Sequence, residues 1–349
     1  MMLIRFAIAL SLAGAALSAQ AQNTGQHPGE DALRLAPSMP WNLDYDDDSC
    51  ALRRVFGVQG QQVYLELRQF GPHDTPQVIV GSADFEPKSP ALGIGWLPGR
   101  VPPTLVPRSF ELSGADGYHG RLLSLPIQLA FPEERAREIA VASPLVSEEA
   151  LALLDRMTEL EPDGRAAQRL AQDNDFVLAR IAAREALQAS PEYLAERDAA
   201  ESEVTGLFVG EAFEEQMVLE TGEMHEPMEA MRACLDELVT HWGIDAEAHA
   251  SLSRRVWPAD HAKLVRSLQR AYPNGMEARR MPGFIRARLD ISESGEPTAC
   301  HIQAPISEPA FEREACEQLM DEGEFFPALD VQGNPIASYY TVAIAYVMN

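Results

Sequence analysis

The sequence predicts an α+β protein in which a mostly antiparallel β domain, a helical middle region and a smaller carboxyl-terminal domain follow one another. Apolar and polar residues alternate over residues 63–68, as they do in a strand with one buried face. Residues 165–189 are rich in alanine and carry apolar residues at helical spacing. Near the end of the chain, two further alternating stretches flank a helical pattern, which is typical of helices packed on a small sheet.

Length and charge limit the classes of protein to which the chain can belong. A chain of 349 residues is long enough for two or three domains. The formal net charge is -25, and Lys88 and Lys263 are the only lysines. Such an acidic surface repels nucleic-acid phosphates and anionic lipid head groups, so neither is expected as a partner.

The first 21 residues have the pattern of a secretory signal peptide. A short positively charged start is followed by an apolar stretch at 6–19 and by the small residues Ala19 and Ala21. The apolar stretch is shorter than the ~20 residues that a membrane-spanning helix requires. The sequence therefore predicts cleavage after Ala21 and a periplasmic mature chain that does not span a membrane. The alternative is an uncleaved segment that anchors the chain in the inner membrane, facing the periplasm.

Four cysteines follow this segment: Cys50, Cys234, Cys300 and Cys316. In an oxidising compartment an even number of cysteines indicates two disulfides, for which three pairings are possible. The sequence has no Cys-x-x-Cys pair and no close cluster of cysteine and histidine, so a zinc site is not expected.

Residues 40–140 are predicted to form the β-rich domain. The alternating residues at 63–68 mark one strand, and residues 78–80 and 122–129 mark others. Residues 87–107 are rich in proline and glycine and are expected to be irregular.

Residues 145–203 are predicted to be helical. Ser147 can cap a helix, and Pro191 can occupy the first position of another. Residues 204–258 are interpreted as a connecting segment of strands and a helix that packs on the β domain. The apolar stripe of its helix, at 226–242, indicates core packing. That stripe consists of Met228, Met231, Leu235, Leu238 and Trp242.

Residues 260–349 are predicted to form a domain of two helices on a three-stranded antiparallel sheet. Residues 285–291 alternate as a strand, and Ser294-Gly295 turns the chain into a second strand. A helix that begins near Pro309 follows, and a hydrophobic strand closes the chain.

This last region resembles the C-terminal domain family of TonB. The shared features are a Tyr-Pro pair after a helix, glycines in the first strand and hairpin, an aromatic helix start, an aromatic residue before proline and a hydrophobic last strand. These features are Tyr272-Pro273, Gly283, Gly295, Phe311-Glu312-Arg313-Glu314, Phe326-Pro327 and residues 339–347.

The resemblance implies a periplasmic domain that binds a protein partner. In this family the partner is an extended peptide of an outer-membrane receptor, which lies beside the last strand and bonds to its backbone. The residues expected to contact the partner are Tyr272, Pro273, Tyr339, Tyr340, Thr341, Val342, Ala343 and Ile344.

The resemblance also favours one disulfide pairing. It places Cys300 on the second strand and Cys316 on the helix that packs over it, so these two are expected to form a bridge. Cys50 then pairs with Cys234, and a bridge between Cys234 and Cys300 is the alternative.

Motifs for catalysis and for metal binding are weak. The acidic residues at 44–48 lack the glycine and glutamate of a calcium loop, and His241 and His249 are too far apart for ligands on one helical turn. Leu219-Glu220-Thr221-Gly222 is similar to the turn of aspartic proteases, but glutamate replaces the essential aspartate. The sequence has no nucleophile elbow, phosphate loop or dinucleotide fingerprint, so no metal and no cofactor is expected.

The expected function is therefore a non-catalytic periplasmic protein that binds another protein. An energy transducer for outer-membrane transport is the first alternative, although the chain has no long proline-rich spacer. A periplasmic hydrolase with its site in the β domain is the second.

Overall fold

The computed structural model describes residues 31–346 apart from 73, 90, 99–103, 107–109, 114–117, 126, 128–131, 144, 162–163, 172, 280, 282 and 305–307. The predicted signal peptide lies outside the described residues. The chain divides into two compact units. The β unit holds the described residues of 12–130 and 194–241, and the C-terminal unit holds those of 131–193 and 242–349.

Strands make up the first part of the β unit. In chain order they are β1 (Leu33–Leu35), β2 (Asn42–Asp46), β3 (Ser49–Val58), β4 (Gln61–Gln69), β5 (Gln77–Ser82), β6 (Leu92–Leu97), β7 (Thr104–Val106), β8 (Phe110–Ser113) and β9 (His119–Ser124). Six of them form an antiparallel sheet in the order β2-β3-β4-β5-β9-β8. Val63, Leu65 and Leu67 are buried along one face of β4, which confirms the predicted alternation.

The next segment is helical. Its helices are α1 (Glu133–Ala142), α2 (Glu148–Thr158), α3 (Arg165–Ala171), α4 (Asn174–Gln188) and α5 (Pro191–Glu203). The side chain of Ser147 accepts a hydrogen bond from the backbone N–H of Ala150 and caps α2, as predicted. The predicted helix start at Pro191 is also confirmed.

The segment that follows contains β10 (Gly206–Gly210), β11 (Met217–Leu219), α6 (His225–His241), α7 (Ala246–Ala250) and β12 (Trp257–Pro258). β10 and β11 complete a five-stranded sheet in the order β1-β11-β10-β6-β7. The apolar stripe of α6 is buried from Met228 to Leu238.

β6 corrects the expectation that residues 87–107 are irregular. Leu92, Ile94 and Trp96 alternate with Gly93 and Gly95 and are buried along one face of the strand. β6 lies between β10 and β7 in the five-stranded sheet. The glycines therefore lie within a paired strand and do not break it.

The C-terminal unit ends with α8 (His261–Arg270), α9 (Asn274–Ala278), β13 (Gly283–Ile291), β14 (Pro297–Ala304), α10 (Pro309–Glu322), β15 (Phe325–Phe326), β16 (Ala328–Leu329), β17 (Pro335–Ile336) and β18 (Ser338–Tyr346). Three of these strands form an antiparallel sheet in the order β14-β13-β18. Leu264 and Leu268 of α8 and Phe311 of α10 are buried in one core with Ile285 and Leu289 of β13. The predicted α+β fold is thus confirmed.

Two disulfides join these elements. Cys50–Cys234 links β3 to α6, and Cys300–Cys316 links β14 to α10, which is the expected pairing. Structural disulfides indicate an oxidising compartment. Of the helices in the described ranges, none combines the length and the apolar composition that crossing a bilayer demands.

Candidate functional site

The last strand, β18, forms one edge of the three-stranded sheet. Its residues pair with β13 from Ser338 opposite Ile291 to Tyr346 opposite Gly283. In the part of the chain that the structure describes, β13 is the only strand paired with it. An edge strand directs the N–H and C=O groups of alternate residues away from its neighbour, where another extended chain can bond to them.

One face of β18 belongs to the core and the other, the outer face, is partly exposed. Ile344 and Tyr346 are buried, and Val342 packs on the same core. Ala343 and Ala345 point to the outer face and are exposed. Because their side chains are small, the second half of the strand leaves room above it for larger side chains of a neighbouring strand.

The two edges of this sheet differ in their protection against pairing. β14 begins at Pro297 and pairs with β13 through two shifts of register. Both features make an edge strand less able to pair with a strand of another chain. β18 pairs with β13 without a shift and contains no proline. The sequence has no charged residue from 331 to 349, so β18 carries no charge that would disfavour pairing with another strand. β18 therefore has the properties of an edge that accepts another strand.

Aromatic side chains cover the start of β18 on its outer face. The rings of His249 and Tyr339 are stacked with centroids 4.9 Å apart, and Trp242 meets Tyr339 edge-on at 4.9 Å. The guanidinium of Arg288 in β13 lies 4.3 Å from the centroid of the Trp242 ring. Burial, together with the charge of Arg255, lowers the pKa of His249 to about 4, so the ring is neutral at neutral pH.

Aromatic side chains also hold the start of β18 on its core face. The ring of Tyr340 packs against Phe325 at 5.2 Å and meets Trp257 edge-on at 6.1 Å. Trp257 pairs with Phe326 in the short ladder of β12 and β15, and His261 stacks on it at 5.3 Å. The first half of β18 therefore has rings on both faces.

The structure places the predicted contact residues in two groups. Residues 339–344 lie on β18 itself. Tyr272 lies beneath the far end of the strand, where its ring meets Phe311 and Tyr346 edge-on and its hydroxyl donates to the carbonyl of Met281. Pro273 follows it and is half-buried. Tyr272 therefore supports the end of the strand from the core side, and a contact of either residue with a partner stays a prediction.

The sequence gives little indication of the rings that surround the start of β18. Trp242 ends the apolar stripe of α6 in the sequence, and His249 is only a weak candidate for a metal ligand. Neither pattern indicates a contact with Tyr339, which lies far along the chain. The one available signal is the density of aromatic residues and histidines between 241 and 261.

A group of potential metal ligands lies in the β unit. Ligand atoms of Asp198, Glu201 and His225 are within 4.8 Å of one another. Arg232 donates to both carboxylate oxygens of the buried Glu201 at 2.9 and 3.0 Å, and Arg197 donates to Asp198 at 2.7 Å. Because both carboxylates are neutralised by guanidinium groups, this cluster is an ion-pair network that offers a cation no open set of ligands.

The acidic turn near the start of the chain also pairs with arginines. Asp44 contacts Arg53 at 2.7 Å, and Asp46 contacts Arg68 at 3.6 Å. The buried Glu66 contacts both arginines, at 2.8 and 2.7 Å. These ion pairs tie β2, β3 and β4 together and account for Asp44 and Asp46.

A shallow cleft of 370 Å³ lies among the helices of residues 133–192. At its rim Arg135 donates to Glu138 at 2.6 Å and to Glu192 at 2.9 Å. The hydroxyls of its two serines are bonded to backbone groups, Ser143 to the N–H of residue 145 and Ser190 to the carbonyl of residue 187. The cleft therefore contains no serine activated by a neighbouring base.

Comparison with known protein families gives a match at the end of the chain. Neither curated protein sequences nor solved structures give a match. A family model described as Gram-negative bacterial TonB protein C-terminal matches residues 269–348, the range that contains β13, β14, α10 and β18. The edge strand and the sheet behind it thus lie within the residues that match this family model, as the motifs from Tyr272 onwards predict.

Proposed function

We propose that this chain is a non-catalytic periplasmic protein that binds a partner protein at the edge strand β18. An extended segment of the partner adds to the sheet as a fourth strand. The main support is the unprotected edge of β18, which lies inside a domain of a protein-interaction family.

Backbone and side chains have different tasks in such a complex. Backbone hydrogen bonds along the edge supply affinity for any extended chain, and contacts between neighbouring side chains supply specificity. The core face of β18 is filled by the domain's own residues. The side chains that select the partner therefore lie on the outer face, where Ala343 and Ala345 are exposed.

An outer-membrane protein is the partner that best agrees with these features. The two disulfides indicate an oxidising compartment, and the amino-terminal sequence predicts export. A periplasmic segment of an outer-membrane protein is accessible to an exported domain. We expect the mature chain to begin at Gln22 by mass spectrometry, whereas an uncleaved chain in the membrane fraction would favour the anchored transducer.

A binding role is favoured over a hydrolase because several carboxylates of the described residues are already engaged in ion pairs with arginines. Arginines pair with the carboxylates of Asp44, Asp46, Glu66 and Glu201 and with the two carboxylates at the rim of the cleft. Catalysis of hydrolysis requires an acid and a base that are free to exchange protons with a substrate.

Site-specific crosslinking in cells tests the proposal. The full chain carries a photo-reactive phenylalanine derivative at position 345, and the matched control carries it at position 331. Val331 is 59% exposed but lies outside the edge strand. We expect a crosslink from position 345 to one extended segment of an outer-membrane protein, and none to that segment from position 331.

Two edge variants complete this test. Ala343→Pro removes a backbone donor, and Ala343→Glu places a charge on the outer face. Both variants should lose the crosslink from position 345, and the glutamate variant keeps the backbone intact if proline unfolds the domain. Crosslinks that persist in a folded Ala343→Glu protein would show that the partner binds elsewhere.

A further inference from the structure

The two halves of β18 lie in different surroundings. At its start, Tyr339 is covered on the outer face by His249 and Trp242, and Tyr340 is held on the core face by Phe325 and Trp257. Over residues 342–346 the outer face carries the exposed Ala343 and Ala345 instead. We refer to Trp242, His249 and Tyr339 together as the aromatic clamp.

Two of the three clamp residues precede the part of the chain that matches the family model. The match begins at residue 269, whereas Trp242 lies in the turn directly after α6 and His249 lies in α7. The clamp is therefore built on the domain by a segment that the family pattern does not include.

A backbone ladder fixes that segment next to β18. Arg254 and Leu329 exchange backbone hydrogen bonds at 3.4 and 2.8 Å, and the guanidinium of Arg254 donates to the carbonyl of Pro327 at 3.0 Å. Trp257 pairs with Phe326 directly after this contact. Residues 254–257 are thus attached to the same loop that leads the chain into β18, and this attachment begins five residues after His249.

We infer that the aromatic clamp restricts strand addition to the second half of β18. The inference rests on the proposed function and adds which part of the edge the partner uses. A strand beside residues 338–340 would bring its outer-face side chains against Tyr339 and the rings packed on it. A strand beside residues 342–346 meets only the small side chains of Ala343 and Ala345 on that face of β18, so pairing is limited to this five-residue stretch.

The free stretch also defines the chemistry of the partner segment. The sequence from 331 to 349 carries no charge, and Ala343 and Ala345 leave space on the outer face. Bulky apolar or aromatic side chains opposite these alanines fill that space and bury apolar surface. The partner segment is therefore short and extended, with large apolar residues at alternate positions.

A segment of another protein is favoured over a second copy of this chain. Five residues of strand extend only about 17 Å. Pairing of two such edges buries far less than the roughly 1,200 Å² that a specific, stable interface between folded proteins requires. A short peptide needs no larger interface, because backbone hydrogen bonds to a preformed edge hold it.

Hydrogen exchange with a selected peptide tests the inference. A phage-displayed library of random dodecapeptides is selected for peptides that bind the full mature chain. Peptides that also bind the Ala343→Glu variant are then removed. With the enriched peptide bound, amide exchange within residues 342–346 should slow by about tenfold or more, and exchange at 338–340 should stay within about twofold. In the variants Trp242→Ala and His249→Ala the protected stretch should extend towards residue 338, whereas His249→Phe, which keeps a ring on Tyr339, should resemble the wild type. Unchanged exchange in β13 without peptide shows that each variant is folded.

Each outcome has a separate meaning. If protection covers residues 338–346 evenly in the wild type, the clamp does not restrict the edge and the inference is wrong, although the proposed function stands. Should no peptide be enriched, or should a bound peptide leave β18 unprotected, strand addition itself would be contradicted. Protection that appears without peptide as the protein concentration rises, with a doubled mass in light scattering, would identify a second copy as the occupant and overturn the inference.

Discussion

The imidazole of His249 lies against the phenol ring of Tyr339 with 17° between the ring planes. His249 is 4% exposed, so a charge on the ring is poorly solvated. Burial and the nearby charge of Arg255 lower the pKa of His249 from 6.5 to about 4 in the folded protein. In the unfolded chain a histidine titrates near ~6.5. Between these two pH values the unfolded chain therefore binds more protons than the folded protein, and stability rises with pH.

The C-terminal unit should consequently lose stability as the pH falls from about 6.5 to about 4, and the contribution of His249 to this loss should be about 3 kcal/mol. His249→Phe keeps an aromatic ring and removes the titration. Urea unfolding at neutral pH and at pH 4.5 measures the effect as the difference between wild type and variant. Burial lowers the pKa of His261 as well, but this residue is present in both proteins and its effect cancels. An equal pH dependence in the two proteins would show that His249 is not the cause.

The two disulfides close loops of very different length, 16 residues for Cys300–Cys316 and 184 residues for Cys50–Cys234. A crosslink restricts the unfolded chain more when it closes a longer loop. Replacing both cysteines of a pair by alanine should therefore cost about 3 kcal/mol for the short loop and about 5 kcal/mol for the long one. Denaturant unfolding of the two double variants measures this order. A larger loss for the short loop would contradict the entropic account.

Gly283 opens β13 directly beside the ring of Phe311. A Cβ atom at this position would lie 2.8 Å from ring atoms of Phe311, which is fully buried. Gly283→Ala should therefore push the Phe311 ring towards Tyr346 and lower the free energy of unfolding by about 1–3 kcal/mol. Gly275→Ala is the matched control, because a Cβ there has no atom within 4 Å and the position is helical. Equal effects of the two substitutions would show that the contact with Phe311 is not responsible.

Arg232 compensates a buried charge in the β unit. Its guanidinium binds both carboxylate oxygens of Glu201, whose side chain is 4% exposed. Arg232→Ala leaves this carboxylate buried without its cation and should destabilise the protein by about 2 kcal/mol. Arg135→Ala removes an arginine from the two exposed carboxylates at the rim of the cleft and should change stability little. Thermal unfolding of the two variants distinguishes a buried ion pair from exposed ones.

Local patterns in the sequence are sufficient to predict most of the strands and helices of the C-terminal domain. The alternation of Ile285, Ala287 and Leu289 predicts β13 because side chains of a strand face opposite sides in turn. The same rule fails for β6, where glycine and nearby proline outweigh the alternation of Leu92 and Trp96. There the five-stranded sheet supplies neighbours on both sides, and no local property of the sequence reports such neighbours.

The aromatic clamp illustrates why part of the candidate site is beyond sequence patterns. Trp242 and Tyr339 are far apart in the chain, and a ladder between Arg254 and Leu329 joins the segments that carry them. Periodicity gives the face on which each residue lies but not which distant face it meets. The edge position of β18 is likewise a property of strand order, which the single sequence does not specify.

An exposed edge strand without charge or proline has a second consequence, which is association with other edges at high concentration. Ala345 is exposed on the outer face of β18, and a lysine there would place a charge next to any strand that pairs with this edge. Ala345→Lys should therefore lower light scattering in concentrated solutions, even though it brings the net charge of -25 nearer to zero. Val331→Lys makes the same change of net charge at a site that is 59% exposed and outside the strand, and should not lower the scattering. If both lysines lower it equally, the association does not involve β18.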